Sequence, residues 1–140
     1  MKRKTIALVL AAVLVMGVSF VLVACNGDNP GSSETPKAPK GVEGISTGQN
    51  VSGGVTFTNY QITISDDTDW NSLSQTEMET IIDYAFDEVH RLTAENNVRY
   101  YNIIGVSRAT GVCFIFDRET DEMVYYKNGG TAGRIPDPNL

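Results

Sequence analysis

Apolar residues fall into distinct patterns along the chain. Residues 6–24 form an uncharged run, mostly Ala, Val and Leu. Residues 26–54 show no apolar period. Residues 55–65 are rich in Val, Phe, Tyr, Ile and Thr, which predicts a strand. The alternation changes phase within it: Val55 and Phe57 share one parity, and Tyr60, Ile62 and Ile64 the other. One extra residue near Asn59 would produce that shift, so a bulge is expected there. Over residues 74–96, Met78, Ile81, Ile82, Ala85, Val89 and Leu92 recur at helical spacing. Ser74 and Glu77 form a capping-box pattern, and Leu73 and Met78 stand where a hydrophobic staple would pack. Acidic residues gather early in this helix, while His90 and Arg91 come late, as the helix dipole favours. Asn96-Asn97 is the expected stop. Three strand-like runs follow, at residues 98–108, 112–117 and 122–127.

Two short loops join those runs, Ala109-Thr110-Gly111 and Glu119-Thr120-Asp121. Each fits a three-residue hairpin loop ending in a left-handed residue. Such loops would pair Arg108 with Val112 and Arg118 with Glu122, which sorts the side chains onto two faces. Tyr100, Ile104, Val106, Val112, Phe114, Phe116, Val124 and Tyr126 form the first. Tyr101, Ile103, Cys113, Ile115, Met123 and Tyr125 form the second. The expected fold is α+β, a four-stranded antiparallel sheet with one packed helix, in the order β-α-β-β-β. That order resembles the cystatin-like fold and small PepSY-type extracytoplasmic domains. The Gln-x-Val-x-Gly hairpin of cystatins is absent, which leaves protease inhibition without support.

The N-terminal run is preceded by Lys2, Arg3 and Lys4 and ends in Leu22-Val23-Ala24-Cys25. A basic start before an apolar run is the pattern of a secretory signal. The run is also about long enough to span a bilayer, which would make it an uncleaved transmembrane helix. Its last four residues decide between these: they resemble the lipobox of bacterial lipoproteins. The resemblance implies a diacylglyceryl group on Cys25, cleavage after Ala24, and anchoring on the extracytoplasmic side of the cell membrane. Two acyl chains suffice for stable anchoring. Residues 1–24 are thus read as a signal peptide and 25–54 as a lipidated cysteine on a flexible tether. Residues 55–127 form the domain and 128–140 a disordered tail rich in Gly and Pro. A Gly-, Ser- and Pro-rich segment cannot bury enough surface to offset its ordering entropy. The tether would span roughly 30 Å.

Charge and chemistry refine this picture. Lys and Arg number 11 against 17 Asp and Glu, a net charge of -6. Removing the signal deletes three basic residues and no acidic one, taking the net to -9. Such acidity argues against nucleic-acid binding, which needs a basic surface to displace counterions. With Cys25 lipidated, Cys113 has no disulfide partner in the chain. His90 and Cys113 are the obvious candidates for nucleophilic catalysis. Cys113 sits in an apolar strand run and His90 on the helix's solvent side, so no catalytic constellation is found and an enzyme is not expected. No cofactor is implied. Asp67, Asp69 and Asn71 match the first side-chain positions of a calcium loop, but Ser72 replaces the turn glycine and Met78 the bidentate Glu. The plainer reading is an acidic turn into the helix.

One helix covers one face, and the first face is the richer. The second is then left open, although it too is mostly apolar, and an open apolar face marks an interface. Tyr101, Ile103, Ile115, Met123 and Tyr125 are therefore the expected binding face for a protein partner, a second copy of the chain or an apolar ligand, in an accessory, sensing or immunity-type role. Trp70 would be its anchor, although a single Trp more often packs on the edge of the core. The alternatives are that residues 45–57 fold back over it, or that the register is displaced by one. A small hydrolase and a weak calcium-dependent module are the competing functional readings.

Overall fold

The structure, a computed structural model, describes residues 35–140. The signal segment, Cys25 and the first part of the tether lie outside them. Within the unit Pro36–Leu140 the elements are β1 (Val42–Ser52), β2 (Val55–Ile64), α1 (Gln75–Glu95), β3 (Tyr101–Ser107), β4 (Gly111–Asp117), β5 (Glu122–Lys127) and β6 (Gly130–Pro136). A 3-10 turn at Trp70–Ser72 precedes the helix. The six strands form one sheet in sequence order, and α1 packs across one face. The expected α+β class, with one α-helix among the described residues, holds.

The sheet has six strands rather than four, and it is mixed rather than antiparallel. β2 and β3 run parallel and every other pair is antiparallel. The cause is the length of the connection. The 21 residues of α1 span about 31 Å, and the 10 residues of β2 about 33 Å. The helix therefore carries the chain back to the starting end of β2. The next strand must then run in the same direction, as in other strand-helix-strand crossovers.

The two additional strands lie where tether and tail were expected. Residues 42–52 form β1, and residues 130–136 form β6. Most of their side chains are exposed, so burial leaves no alternation to read. Two-residue turns fold each back on its neighbour. Gly53 and Gly54 have φ of 59° and 79° between Ser52 and Val55, and Asn128 and Gly129 have 51° and 83° between Lys127 and Gly130. Two successive positive φ values are what the favoured hairpin turn requires, and they explain the Gly-Gly and Asn-Gly pairs. Backbone pairing, assisted by Val42, Ile45 and Ile135 against the core, makes these strands.

β2 has no bulge at Asn59: its register with β1 and β3 is unbroken there. The change of phase marks a change of face. Tyr60, Ile62 and Ile64 point to the helix, while Phe57 points away and packs on Tyr100 at 5.8 Å. The helix begins as expected. Ser74 Oγ accepts from the Glu77 N–H at 3.1 Å, and Glu77 accepts from the Ser74 N–H at 2.8 Å. It ends at Glu95, before Asn96 and the left-handed Asn97.

The predicted register is displaced at both hairpins, by two residues at the first loop and by one at the second. Gly111 and Asp121 are left-handed as expected, with φ of 88° and 59°. The pairs, however, are Ser107 with Gly111 and Asp117 with Glu122. Between Val106–Val112 and Gly105–Phe114 the register shifts, leaving Cys113 as an extra residue. Phe114 and Phe116 thereby join Ile103, Met123 and Tyr125 on the helix side. Gly105 is required there: a Cβ on it would lie 2.3 Å from the Phe114 ring.

Candidate functional site

The predicted binding face is mostly interior. Ile103, Met123, Tyr125 and Trp70 are each at most 3 % exposed beneath α1, and Tyr101 is half-buried. Tyr101 stacks on Phe116 with centroids 5.7 Å apart. Trp70 packs on Phe114 and donates from Nε1 to the Tyr126 carbonyl at 2.7 Å, so it is a core anchor rather than a surface one. Ile115 alone of the six lies on the open side. The Cys113 bulge moved Phe114 and Phe116 onto the predicted face and Ile115 off it, which makes it the richer face and the one α1 covers.

The face without a helix carries its own apolar patch. Ile104 of β3, Ile115 of β4 and Val124 of β5 stand in one cross-strand row, and Val106 pairs with Val112 beside them. Ile115 and Val112 are 39 % and 44 % exposed, whereas Val124 is shielded by its neighbours. At the start of β4 the patch runs into a groove of about 260 Å³, lined by Val112, Ile115, Tyr126, Thr110 and Asn71. The groove wall is fixed by bonds between the 3-10 turn and the β5–β6 hairpin. Asn71 Oδ1 accepts from the Asn128 N–H at 2.8 Å, and Lys127 Nζ donates to the Leu73 carbonyl at 3.2 Å.

Polar groups frame the patch. Arg134 donates to Asp117 at 3.2 Å and to Glu122 at 2.9 Å. The Glu119 N–H and Arg134 hold the Asp117 carboxyl below its ordinary range. Arg108 bridges Glu43 and Asp66. On the β1 side an amide chain crosses three strands: Asn102 donates to Asn59, and Asn59 to Asn50, each at 2.6 Å. The arrangement is an apolar centre with a hydrogen-bonded rim.

The other candidates are dispersed. Asp67 accepts from Ser65 at 3.0 Å. Asp69 accepts from the Asn71 N–H and from Ser72 Oγ, at 3.2 and 2.7 Å. Asn71 turns its oxygen to the β5–β6 hairpin. The three do not converge on one point, and no group of three or more His, Cys, Asp or Glu among the described residues is arranged to hold a metal ion. Cys113 is fully buried, and desolvation pushes its thiol up to about 11, against thiolate formation. It lies near Ser107 at one end of β3, whereas His90 packs by Tyr101 at the other. Six residues of strand separate these ends, about 20 Å.

His90 is not simply solvated. Its Nε2 lies 2.7 Å from Oδ2 of Asp137, whose side chain is 1 % exposed. Asp137 also accepts from the Asn139 N–H at 2.9 Å, and its own N–H donates to the Asp121 carbonyl at 3.0 Å. The expected tail thus ends as a strand and a pinned turn. A link spanning 47 positions leaves no local signal in the sequence.

No helix among the described residues is long and apolar enough to cross a membrane. Compared with protein-family models, curated proteins and solved structures, the chain matches none.

Proposed function

We propose that this chain is a membrane-anchored extracytoplasmic lipoprotein whose small domain binds a protein partner through the helix-free face of its sheet. The observation that carries the binding reading is the Ile104–Ile115–Val124 row with Val106 and Val112 beside it. These β-branched residues lie on the face that α1 leaves open among the described residues. Apolar patches rimmed by polar groups are characteristic of interaction sites. The charge of -9 expected after signal removal favours a partner whose apolar contact is ringed by basic residues. The anchoring part rests on the resemblance of Leu22-Val23-Ala24-Cys25 to a lipobox.

Two measurements test the reading. A photo-crosslinking residue at Ile115, in the full chain in intact membranes, is expected to capture a specific protein, and one at Asp87 on the exposed side of α1 is not. Equal capture from both positions, or none from Ile115, would overturn the binding face. Metabolic labelling with palmitate is expected to mark the wild type and not Cys25→Ser. Label retained in that variant would refute lipidation at Cys25.

A further inference from the structure

Among the described residues the sheet has two unpaired edges, and they are built differently. β6 is seven residues long, carries Arg134 and Pro136, and is bulged against β5 at Tyr125/Tyr126. Charge, proline and bulges are the devices that keep edges from pairing. β1 is eleven residues long and pairs with β2 without interruption from Gly44 to Ser52. It contains no proline, and residues 44–65 carry no Asp, Glu, Lys, Arg or His. A chain with 28 charged residues thus presents a neutral hairpin at its longest edge.

We propose that the free edge of β1 is where a second copy of this chain pairs, antiparallel, across a two-fold axis near Gly48, so that two six-stranded sheets become one of twelve strands. This surface is distinct from the helix-free face. Three observations select a second copy. First, an antiparallel two-fold contact needs only one edge, paired with itself. Second, acidic bodies repel, so the neutral edge is where they approach at least cost. With Gly48 opposite Gly48, the two Glu43 side chains stand ten residues apart, about 33 Å, well beyond the screening length of about 8 Å. A parallel pairing would place them side by side. Third, β3 joins β2 only from Thr58 onward, so residues 50–57 project as a hairpin of two strands. Two strands alone are marginal in water. Self-pairing lays residues 50–52 of each copy along residues 44–46 of the other, which β2 and β3 support from behind. The projecting arm then lies in a four-stranded ribbon.

The test is the mass of the full chain in detergent, by light scattering or native mass spectrometry. The wild type is expected at two copies. In Ser46→Glu/Gly48→Glu/Asn50→Glu the contact would hold three facing like-charge pairs, weakening the dimer about ten- to a hundredfold. All three positions are exposed, and a Cβ on Gly48 meets nothing within 4 Å, so the monomer is expected to keep its fold by circular dichroism. Gly130→Glu at the β6 edge, also in open space, is expected to leave the dimer intact. Gly48→Cys is expected to give a covalent dimer on mild oxidation that wild type does not, because facing residues across an antiparallel pair fit disulfide geometry. A single-copy wild type with no Gly48→Cys disulfide would overturn the proposal, as would a dimer that survives the triple substitution. A dimer abolished by Ile115→Lys instead would move the contact to the helix-free face. Loss of crosslinking at Ile115 with the dimer intact would refute only the binding face.

Discussion

The two faces of this sheet are made from the same strands, often from adjacent residues, yet they are composed differently. The covered face holds Tyr60, Phe114, Phe116, Met123 and Tyr125, with Trp70 at its edge. The helix-free face holds Ile104, Val106, Val112, Ile115 and Val124. A helix layer stands about 10 Å from a sheet, and long aromatic and Met side chains fill that depth. Short β-branched side chains suit a pleated surface with nothing above it. Within β4 apolarity alone therefore does not mark the core side, and side-chain size discriminates better; β2 and β3 do not follow that rule, because Ile62, Ile64 and Ile103 lie beneath α1 while Phe57 faces away.

That contrast can be broken by substitution. The largest effect is expected from Phe114→Ala, which empties a fully buried site against Trp70 and is expected to cost about 3–5 kcal/mol in denaturant unfolding. Ile115→Ala, one residue on, is expected to cost less than about 1 kcal/mol. Equal losses would refute the assignment of faces. Gly105→Ala drives a methyl into the Phe114 ring, with an expected loss of about 1–3 kcal/mol. Adding Phe114→Leu is expected to restore part of it. His90→Ala leaves the buried Asp137 carboxylate without its imidazole partner, an expected loss of about 1–3 kcal/mol. Faster amide exchange at residues 137–140 would show that the pinned end had been released.

The smallest effects concern acid. Glu77, beneath the Ser74 N–H, and Asp117, beneath the Glu119 N–H and Arg134, both titrate lower in the folded chain. A depressed carboxyl contributes stability that is present above its unfolded value, about 4, and is lost as pH falls through the folded value. Glu77→Gln and Asp117→Asn are each expected to flatten the fall in melting temperature below about pH 4. Asp83 acts in the opposite sense. Burial, then Asp87 and Glu79, raise its carboxyl, so its contribution is lost as pH rises through the folded value. An unchanged acid limb in both Gln and Asn variants would remove these two groups from the account.

Legibility followed the range of the interaction that carried the information. The helix, its Ser74–Glu77 cap and its stop at Asn96-Asn97 rest on contacts a few residues apart, and the sequence displayed them. The left-handed Gly111 and Asp121 were equally local. β1 and β6 hid because their side chains are exposed, although Gly53-Gly54 and Asn128-Gly129 carried the hairpin signal. The binding face was misread through β4 alone: Cys113 enters as a bulge, which turns Phe114 and Phe116 to the side of Ile103, Met123 and Tyr125 and leaves Ile115 on the other. The His90–Asp137 link could not be read at all.

By itself, the sequence determined the helix with its cap, the strand character of residues 55–64 and 101–127, and the uncharged stretch at 44–65. These follow from periodicity, capping chemistry and composition, which act over short spans of chain. Tertiary structure alone decided which face α1 covers, that β3 runs parallel to β2, and that Asp137 closes on His90. Those outcomes depend on the summed register of four strands and on the reach of one helix, quantities that no single segment contains.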